Sequence, residues 1–414
     1  MRPVVDPKDS VYVARQPILD QKGGVFGYEL LYRAGARATA CTADGDLAAA
    51  SVLNDALLTM GLPLLASDRL AWVNLTRNIL LSDLGTLLPP ASTVLELRED
   101  ITVDDEVVAT CRTLKGQGYA MALDDYVPGS DAERLLPFVK YVKVDVLATS
   151  PAARAALVRQ VPKGVQLVAE KVETAEIFAQ TKAEGYAFFQ GYHFCRPTTF
   201  GSGAVSGRKL AYMQLLNALN KENLGVNELE DLIKHDASLS YRVLRCINSA
   251  AFGLRQEVRS IRHALVLMGL DQIRKWASVW AFAGLNGGAS PEVVTMSILR
   301  ARTCELLGQR LEGQDGSEYF LLGLTSLLDV MLNRPMTQVL DELPLSADIR
   351  AALLGESNGA RTLLDAVVAY EQGSWDEAQA SAERSHLDPL LLPWAYSDAL
   401  SWAREVSHAS ALAA

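Results

Sequence analysis

The sequence has no Cys-x-x-Cys pair, and its five cysteines (Cys41, Cys111, Cys195, Cys246 and Cys304) are scattered and odd in number. That pattern argues against a zinc ribbon and against a disulfide framework. It fits reduced thiols in a cytoplasm. No long apolar run is present. The longest candidate, "WASVWAFAGL" at 276–285, falls far short of the ~20 residues a spanning helix needs, so no membrane insertion is expected. The first twenty residues carry no apolar stretch of signal-peptide length. Basic residues are outnumbered, with 39 Lys and Arg against 49 Asp and Glu and a net charge of −10. No basic stripe offsets this, which excludes a nucleic-acid footprint but leaves room for a phosphate ligand in a local site. A glycine-rich first turn, which a doubly wound dinucleotide fold would show, is missing as well.

What is there is ordinary globular composition, 49% hydrophobic and 21% charged, over a length comfortable for two domains. From residue 11 to about 197, short apolar runs alternate with stretches of helical spacing. The runs include "VFGYELLYR", "LAWVNLT", "TVLELRE", "YAMALDDY", "YVKVDVL" and "VQLVAEKV". Such alternation predicts a mainly parallel sheet, and eight runs in this length predict a compact TIM-like (β/α) barrel. The Gly- and Pro-rich stretch "RPTTFGSGAVSG" reads as a linker. Beyond it the strand pattern vanishes and amphipathic helices take over. The expected fold class is therefore α/β plus all-α, with a barrel over 1–199 and a helical domain over 200–414. Trp375, Trp394 and Trp402 lie in helical contexts and are expected to be packing anchors.

The barrel runs end in polar groups. Asp124 and Asp125 stand side by side after "YAMAL", and Glu29, Arg33, Asn74, Glu96, Glu99, Lys143, Asp145, Glu170, Glu173 and Gln190 lie at or near the ends of the other runs. One such ending is a solvated turn. Several together, facing one barrel mouth, would repel strongly without a cation among them. Glu, Asp and Asn oxygens suit Mg²⁺, Mn²⁺ or Ca²⁺, and a two-metal site suits in-line phosphoryl displacement.

The ordered motifs "RQPILD", "GYELLYR", "VNLT", "LELRE", "LDDY", "VKVD", "AEKVE" and "QGYHFCRP" resemble those of EAL domains, barrels that hydrolyse cyclic di-GMP to pGpG with two divalent cations, Mg²⁺ or Mn²⁺. The segment "LEDLIKHDASLSYRVLRCINSAAFGLRQEVRSIRHALVLMGLDQIRK" resembles HDOD domains. The pair together resembles bacterial tandem EAL–HDOD signalling proteins. The resemblance implies metal ligation by Glu29, Asn74, Glu96, Asp124, Asp125 and Glu170. Lys143 is implied as the catalytic lysine, Glu29 and Glu170 as catalytic carboxylates, and Gln190 as the glutamine near the attacking water. Gln16, Arg33 and Asp145 are implied on the dinucleotide, and Glu99 as support for the loop after the paired aspartates.

Three features depart from the EAL pattern. Leu30 replaces a small residue in Glu29-Leu30-Leu31 and is expected to crowd the strand and move Glu29. The loop Tyr126-Val127-Pro128-Gly129 differs from the usual Phe-Gly-Thr-Gly, and Val127 does not readily take a positive φ. Lys171 is placed to pair with Glu170 and weaken a metal site. Weak or regulated hydrolysis is the expectation. In the helical half, His235-Asp236, His263, His386 and His408 offer no clustered metal set. His235 and Asp236 read as helix-end and capping residues, Asn248 and Ser249 as helix cross-links, and Met268 and Trp276 as core. The half is expected to dock an unidentified signalling protein. A degenerate cyclic di-GMP receptor or scaffold is the alternative, and another metal-dependent phosphohydrolase a third. The resemblance also admits a homodimer.

Overall fold

A computed structural model describes residues 11–34, 61–82, 87–191, 216, 218–219, 224–234, 243, 258, 260–284, 290–312, 316–332, 334–341, 343 and 345–411. The expected linker, His235, Asp236, Asn248, Ser249, Cys41, Cys195 and Cys246 lie outside these residues, as does the side chain of Trp276. The chain divides into two compact units. The first is Met1–Thr198 with Val368–Ala380 and Asp388–Trp394, and the second is Thr199–Val367 with Ser381–Leu387 and Ala395–Ala414.

The first unit is a closed barrel in sequence order, β1 (Val11–Asp20), β2 (Val25–Ala34), β3 (Leu70–Leu75), β4 (Thr93–Leu97), β5 (Ala120–Leu123), β6 (Tyr141–Asp145), β7 (Gln166–Glu170) and β8 (Phe188–Phe189). Strands β2 to β8 pair in parallel, while β1 runs antiparallel to both its neighbours. The direction of β1 follows from the four residues that separate it from β2, too few for a crossover and right for a hairpin. Asp20 fixes that turn by accepting from the N–H groups of Lys22 and Gly24 at 2.7 and 2.9 Å. Helices α1 (Leu62–Leu65), α2 (Arg77–Leu81), α3 (Asp105–Gly116), α4 (Pro151–Gln160) and α5 (Ala175–Glu184) lie between the strands. Four of them start on a side-chain cap, from Thr76, Asp104, Ser150 and Thr174, which satisfies a first-turn N–H and ends the preceding segment at a fixed residue. In α3, Val107, Cys111 and Leu114 fall at helical spacing and are buried. The Cys111 thiol is free and pushed up to about 12 by burial.

The barrel floor is one apolar layer. Ile18, Trp72, Val94, Ala122, Tyr141, Val168 and Phe188 form it, one from each of seven strands. The Trp72 and Tyr141 rings lie 4.7 Å apart. From β2 comes Gly27, where a Cβ would stand 2.7 Å from the Leu70 carbonyl and 2.9 Å from the Trp72 indole nitrogen. A side chain there would displace the tryptophan.

The second unit is helical among its described residues: α6 (Val226–Lys234), α7 (Ile261–Met268), α8 (Leu270–Gly284), α9 (Pro291–Glu312), α10 (Ser317–Thr325), α11 (Leu328–Leu332), α12 (Met336–Leu340), α13 (Ala347–Leu353), α14 (Gly359–Glu371), α15 (Trp375–Arg384) and α16 (Leu391–Ala411). The end of α14 and the starts of α15 and α16 belong to the first unit. Buried Glu305 is neutralised by Lys275 and by Arg302, which also reaches Asp398 at 2.9 Å. Trp402 packs edge-on against Phe320. Met268 is half-buried, His263 and His386 are exposed, and so in part is Trp394. Among the described residues no helix is long and apolar enough to cross a membrane.

Candidate active site

Successive side chains on a strand point to opposite faces. Two residues above each floor residue, on the same inward face, the barrel therefore presents a second layer. This layer is polar on every strand: Gln16, Glu29, Asn74, Glu96, Asp124, Lys143, Glu170 and Gln190. Glu29 pairs in register with Gln16, and Asn74 with Glu96.

Lys143 is its hub. Its ammonium is 2.9 Å from Glu29 Oε2, 3.1 Å from Asp124 Oδ1 and 2.8 Å from Glu170 Oε1, and it is also hydrogen-bonded to Glu96. Glu96 is 0% and Lys143 1% exposed, so water screens neither. Glu29 accepts in addition from Asn74 Nδ2 at 2.8 Å and Gln190 Nε2 at 2.7 Å. Gln190 also donates to Gln16 Oε1 at 2.9 Å. The sequence-predicted Glu29, Asn74, Glu96, Asp124, Lys143, Glu170, Gln16 and Gln190 thus meet in one hydrogen-bonded set.

Four carboxylates surround one ammonium, and the titration follows from that imbalance. Burial pushes Glu96 well above the usual carboxylate range, and the Glu29 charge adds to it. Burial pushes Glu170 up to about 8, against the pull of Lys143 and with the push of Asp124 and Glu29. Glu29 alone of the three is held low, because Lys143, Gln190 and Asn74 outweigh its burial. The Lys143 ammonium is raised well above its ordinary value: burial opposes the charge, and Glu170, Glu29, Glu96 and Asp124 outweigh it. The set holds more negative charge than it can neutralise. Glu96 Oε2, Glu170 Oε2 and Asp125 Oδ1 are buried without a hydrogen-bond partner. Unpartnered hard oxygens of this kind suit a divalent cation such as Mg²⁺ or Mn²⁺. Among the described residues no three acidic or imidazole side chains already stand around a shared metal position, since the ammonium holds the centre.

Other expected residues stand apart from this set. Asp125, with φ of 40°, turns off the strand; burial and then the charge of Asp124 raise its carboxyl. Asp145, one step above Lys143, accepts from its own loop N–H groups at Leu147 and Ala148 and from Lys171 Nζ at 2.5 Å. Lys171 therefore does not pair with Glu170. Lys171 lies past the end of β7 with φ of 56°, which turns it from the lumen and towards β6. Glu99 is exposed, and among the described residues it makes no hydrogen bond to the loop after Asp125, acting there only through its charge on that residue. The loop is held instead by Tyr126 N–H to the Lys143 carbonyl at 3.0 Å and by Glu133, which accepts from Gly129 N–H at 2.6 Å. Glu133 carries no signal in the sequence beyond its polarity. Positive φ falls on Asp125 and Gly129 and not on Val127, which is 63% exposed. Leu30 is 1% exposed and on the face opposite Glu29, so the extra bulk packs outside the lumen and Glu29 keeps its place. Arg33 is bound 2.7 Å from Asp376.

Family models match an EAL domain over residues 71–197 and an HDOD domain over 210–344. A Bacillus subtilis (strain 168) protein, the uncharacterised YuxH, is 33% identical over 96% of this chain and 99% of its own. The chain belongs to the tandem EAL–HDOD family. A Vibrio cholerae protein named cyclic di-GMP phosphodiesterase CdgJ is 30% identical over 98% of this chain and 95% of its own. Among solved structures, an EAL domain protein from Listeria monocytogenes EGD-e is 20% identical, covering 45% of this chain and 87% of that one with a TM-score of 0.36. The EAL match begins at residue 71, yet β1 and β2 complete the barrel and bring Gln16 and Glu29 to the polar layer.

Proposed function

We propose that this EAL–HDOD protein is a cyclic di-GMP signalling protein whose barrel hydrolyses cyclic di-GMP to pGpG, weakly or under regulation, while the HDOD half serves as a non-catalytic docking module. The observation that carries the reading is the layer of polar side chains, one per strand, centred on Lys143. Membership of a family in which one relative is named for that activity supports it.

The residues fit two divalent ions, Mg²⁺ or Mn²⁺. Glu29, Asn74, Glu96, Asp124, Asp125 and Glu170 would hold them. Bound ions would supply an acidified water and charge neutralisation at phosphorus. Gln190, fixed by its bonds to Glu29 and Gln16, orients the attacking water. Lys143 keeps its proton and donates to oxygen as negative charge develops on the phosphoryl group. Glu170, which the cations would hold ionised, would accept a proton from water. Arg33, Gln16 and Asp145 bind and orient the dinucleotide above this layer. Metal loading would require the carboxylates to give up contacts with Lys143, which fits weak or regulated turnover.

Incubation with cyclic di-GMP and either metal should yield pGpG. No product at any concentration of either metal, in a folded preparation, rejects the reading. The altered Tyr126–Gly129 loop sequence favours a second one, a receptor or scaffold that binds without turnover, which calorimetry without product formation would support.

A further inference from the structure

A strap from the far end of the chain meets the β1–β2 side of the polar layer. Its anchor is firm. Tyr370 places its hydroxyl on the backbone of Val13, accepting from the N–H and donating to the carbonyl, each at 3.2 Å. Tyr12, Tyr370 and Trp375 form a ring cluster with centroids 5.1 to 6.0 Å apart. Tyr12 is 3% and Tyr370 1% exposed. The Tyr12 hydroxyl also donates to the Pro389 carbonyl at 3.3 Å.

Beyond the anchor the contacts change character. The Gln372 carbonyl accepts from Gln16 Nε2 at 3.2 Å. Gln16 Oε1 is held from the other side by Gln190, so its amide is tied at both ends. Gly373, with φ of +72°, passes so close to Leu31 that a Cβ would stand 2.6 Å from its Cδ1. Asp376 then takes the Arg33 guanidinium, with Asp376 itself 93% exposed. Gln16, Leu31 and Arg33 share the inward face of the β1–β2 hairpin with Glu29, since Gln16 opposes Glu29 and Tyr12 opposes Arg33. The tip of the strap thus occupies the two side chains assigned above to the dinucleotide.

We infer that residues Gln372–Asp376 are an autoinhibitory strap, which competes with cyclic di-GMP for Gln16 and Arg33. The inference rests on the proposed cyclic di-GMP site. The Asp376–Arg33 ion pair, with an exposed carboxylate, and the neutral Gln16–Gln372 hydrogen bond are weak ties, whereas the aromatic anchor, which includes Trp375, is strong. Ligand therefore takes Gln16 from the Gln372 carbonyl and Arg33 from Asp376 while Tyr370 and Trp375 stay. The strap continues in chain, on both sides, into the second unit. A partner bound to that unit can shift the fraction of open strap, and apparent affinity scales with that fraction.

The test uses the full chain with Asp376→Ala, which removes an exposed carboxylate and leaves folding intact, and Gly373→Ala, which strains the strap's left-handed turn and crowds the Leu31 side chain. Calorimetry with cyclic di-GMP, with and without Mn²⁺, gives Kd, and steady-state hydrolysis gives KM and kcat. Both variants should show Kd or KM lowered about three- to tenfold with kcat within about twofold of wild type. Hydrogen exchange at 372–374 should quicken in the wild type on adding cyclic di-GMP, while 370 and 375 stay protected. Binding by the wild type with the same constants in both variants overturns the strap and leaves the function standing. Binding by none of the three proteins, with Arg33→Ala equally inert, overturns both.

Discussion

Lys143 is the cation around which the carboxylates of the metal-free barrel gather. It touches four carboxylates and is 1% exposed. Removing one partner of a buried ionic set leaves the rest uncompensated and costs about 3–5 kcal/mol. Lys143→Met should therefore destabilise the metal-free protein by about that much in urea titrations, recover part of it with excess Mn²⁺, and abolish hydrolysis. Glu170 sets a pH dependence of the opposite sign to the usual carboxylate. Its folded value is raised from 4.5 to about 8. Between those values the folded state holds a proton that the unfolded chain has released, so stability falls as pH rises through the window. The midpoint of metal-free unfolding should drop from pH 5 to pH 8. Excess Mg²⁺ or Mn²⁺, favouring the ionised carboxylate, should flatten that slope. A flat profile without metal would refute the Glu170 assignment. The polar layer was legible residue by residue because each member lies in or just after a short apolar run. The partner of Lys171 was not, since its left-handed φ of 56° cannot be read from a lysine codon and carries the side chain to Asp145 instead of its neighbour.

At the scale of the element, β2 sets the position of Glu29 and Gly27 sets the position of β2. A methyl at Gly27 would meet the Leu70 carbonyl at 2.7 Å and the Trp72 ring. Backbone cannot yield as a side-chain tip can. Gly27→Ala should cost about 1–3 kcal/mol and lower turnover more than tenfold, because a misplaced catalytic group is penalised far beyond its stability cost. Circular dichroism with parallel hydrolysis rates would check both. The hairpin direction of β1 was implicit in the short "QKGG" connection, yet strand–helix alternation alone spoke only for a mainly parallel sheet. The strap was invisible in the sequence. Its ties span 343 to 357 positions and depend on a main-chain carbonyl and an absent Cβ, neither of which leaves a motif.

Taken whole, the molecule has two cores, and a ligand stabilises only the unit that binds it. Calorimetric scans should resolve two transitions. Mn²⁺ at about a hundred times its Kd adds about 2.7 kcal/mol to one of them, and Lys143→Met should alter the same one. A single transition that Mn²⁺ shifts as a whole would show that the units unfold as one. The change from barrel to helices was readable from the loss of strand pattern, whereas the return of 368–380 and 388–394 to the first unit was not, because helical periodicity says which face is apolar and not what covers it.

The ammonium at the centre of the barrel also bears on supply. A fold that carries its own counter-ion can be synthesised and can mature when divalent metal is scarce, so under the metal-dependent chemistry proposed above starvation would leave idle protein and not a degraded one. Restoring the metal would then recover output within the time of ion entry, with no wait for new translation.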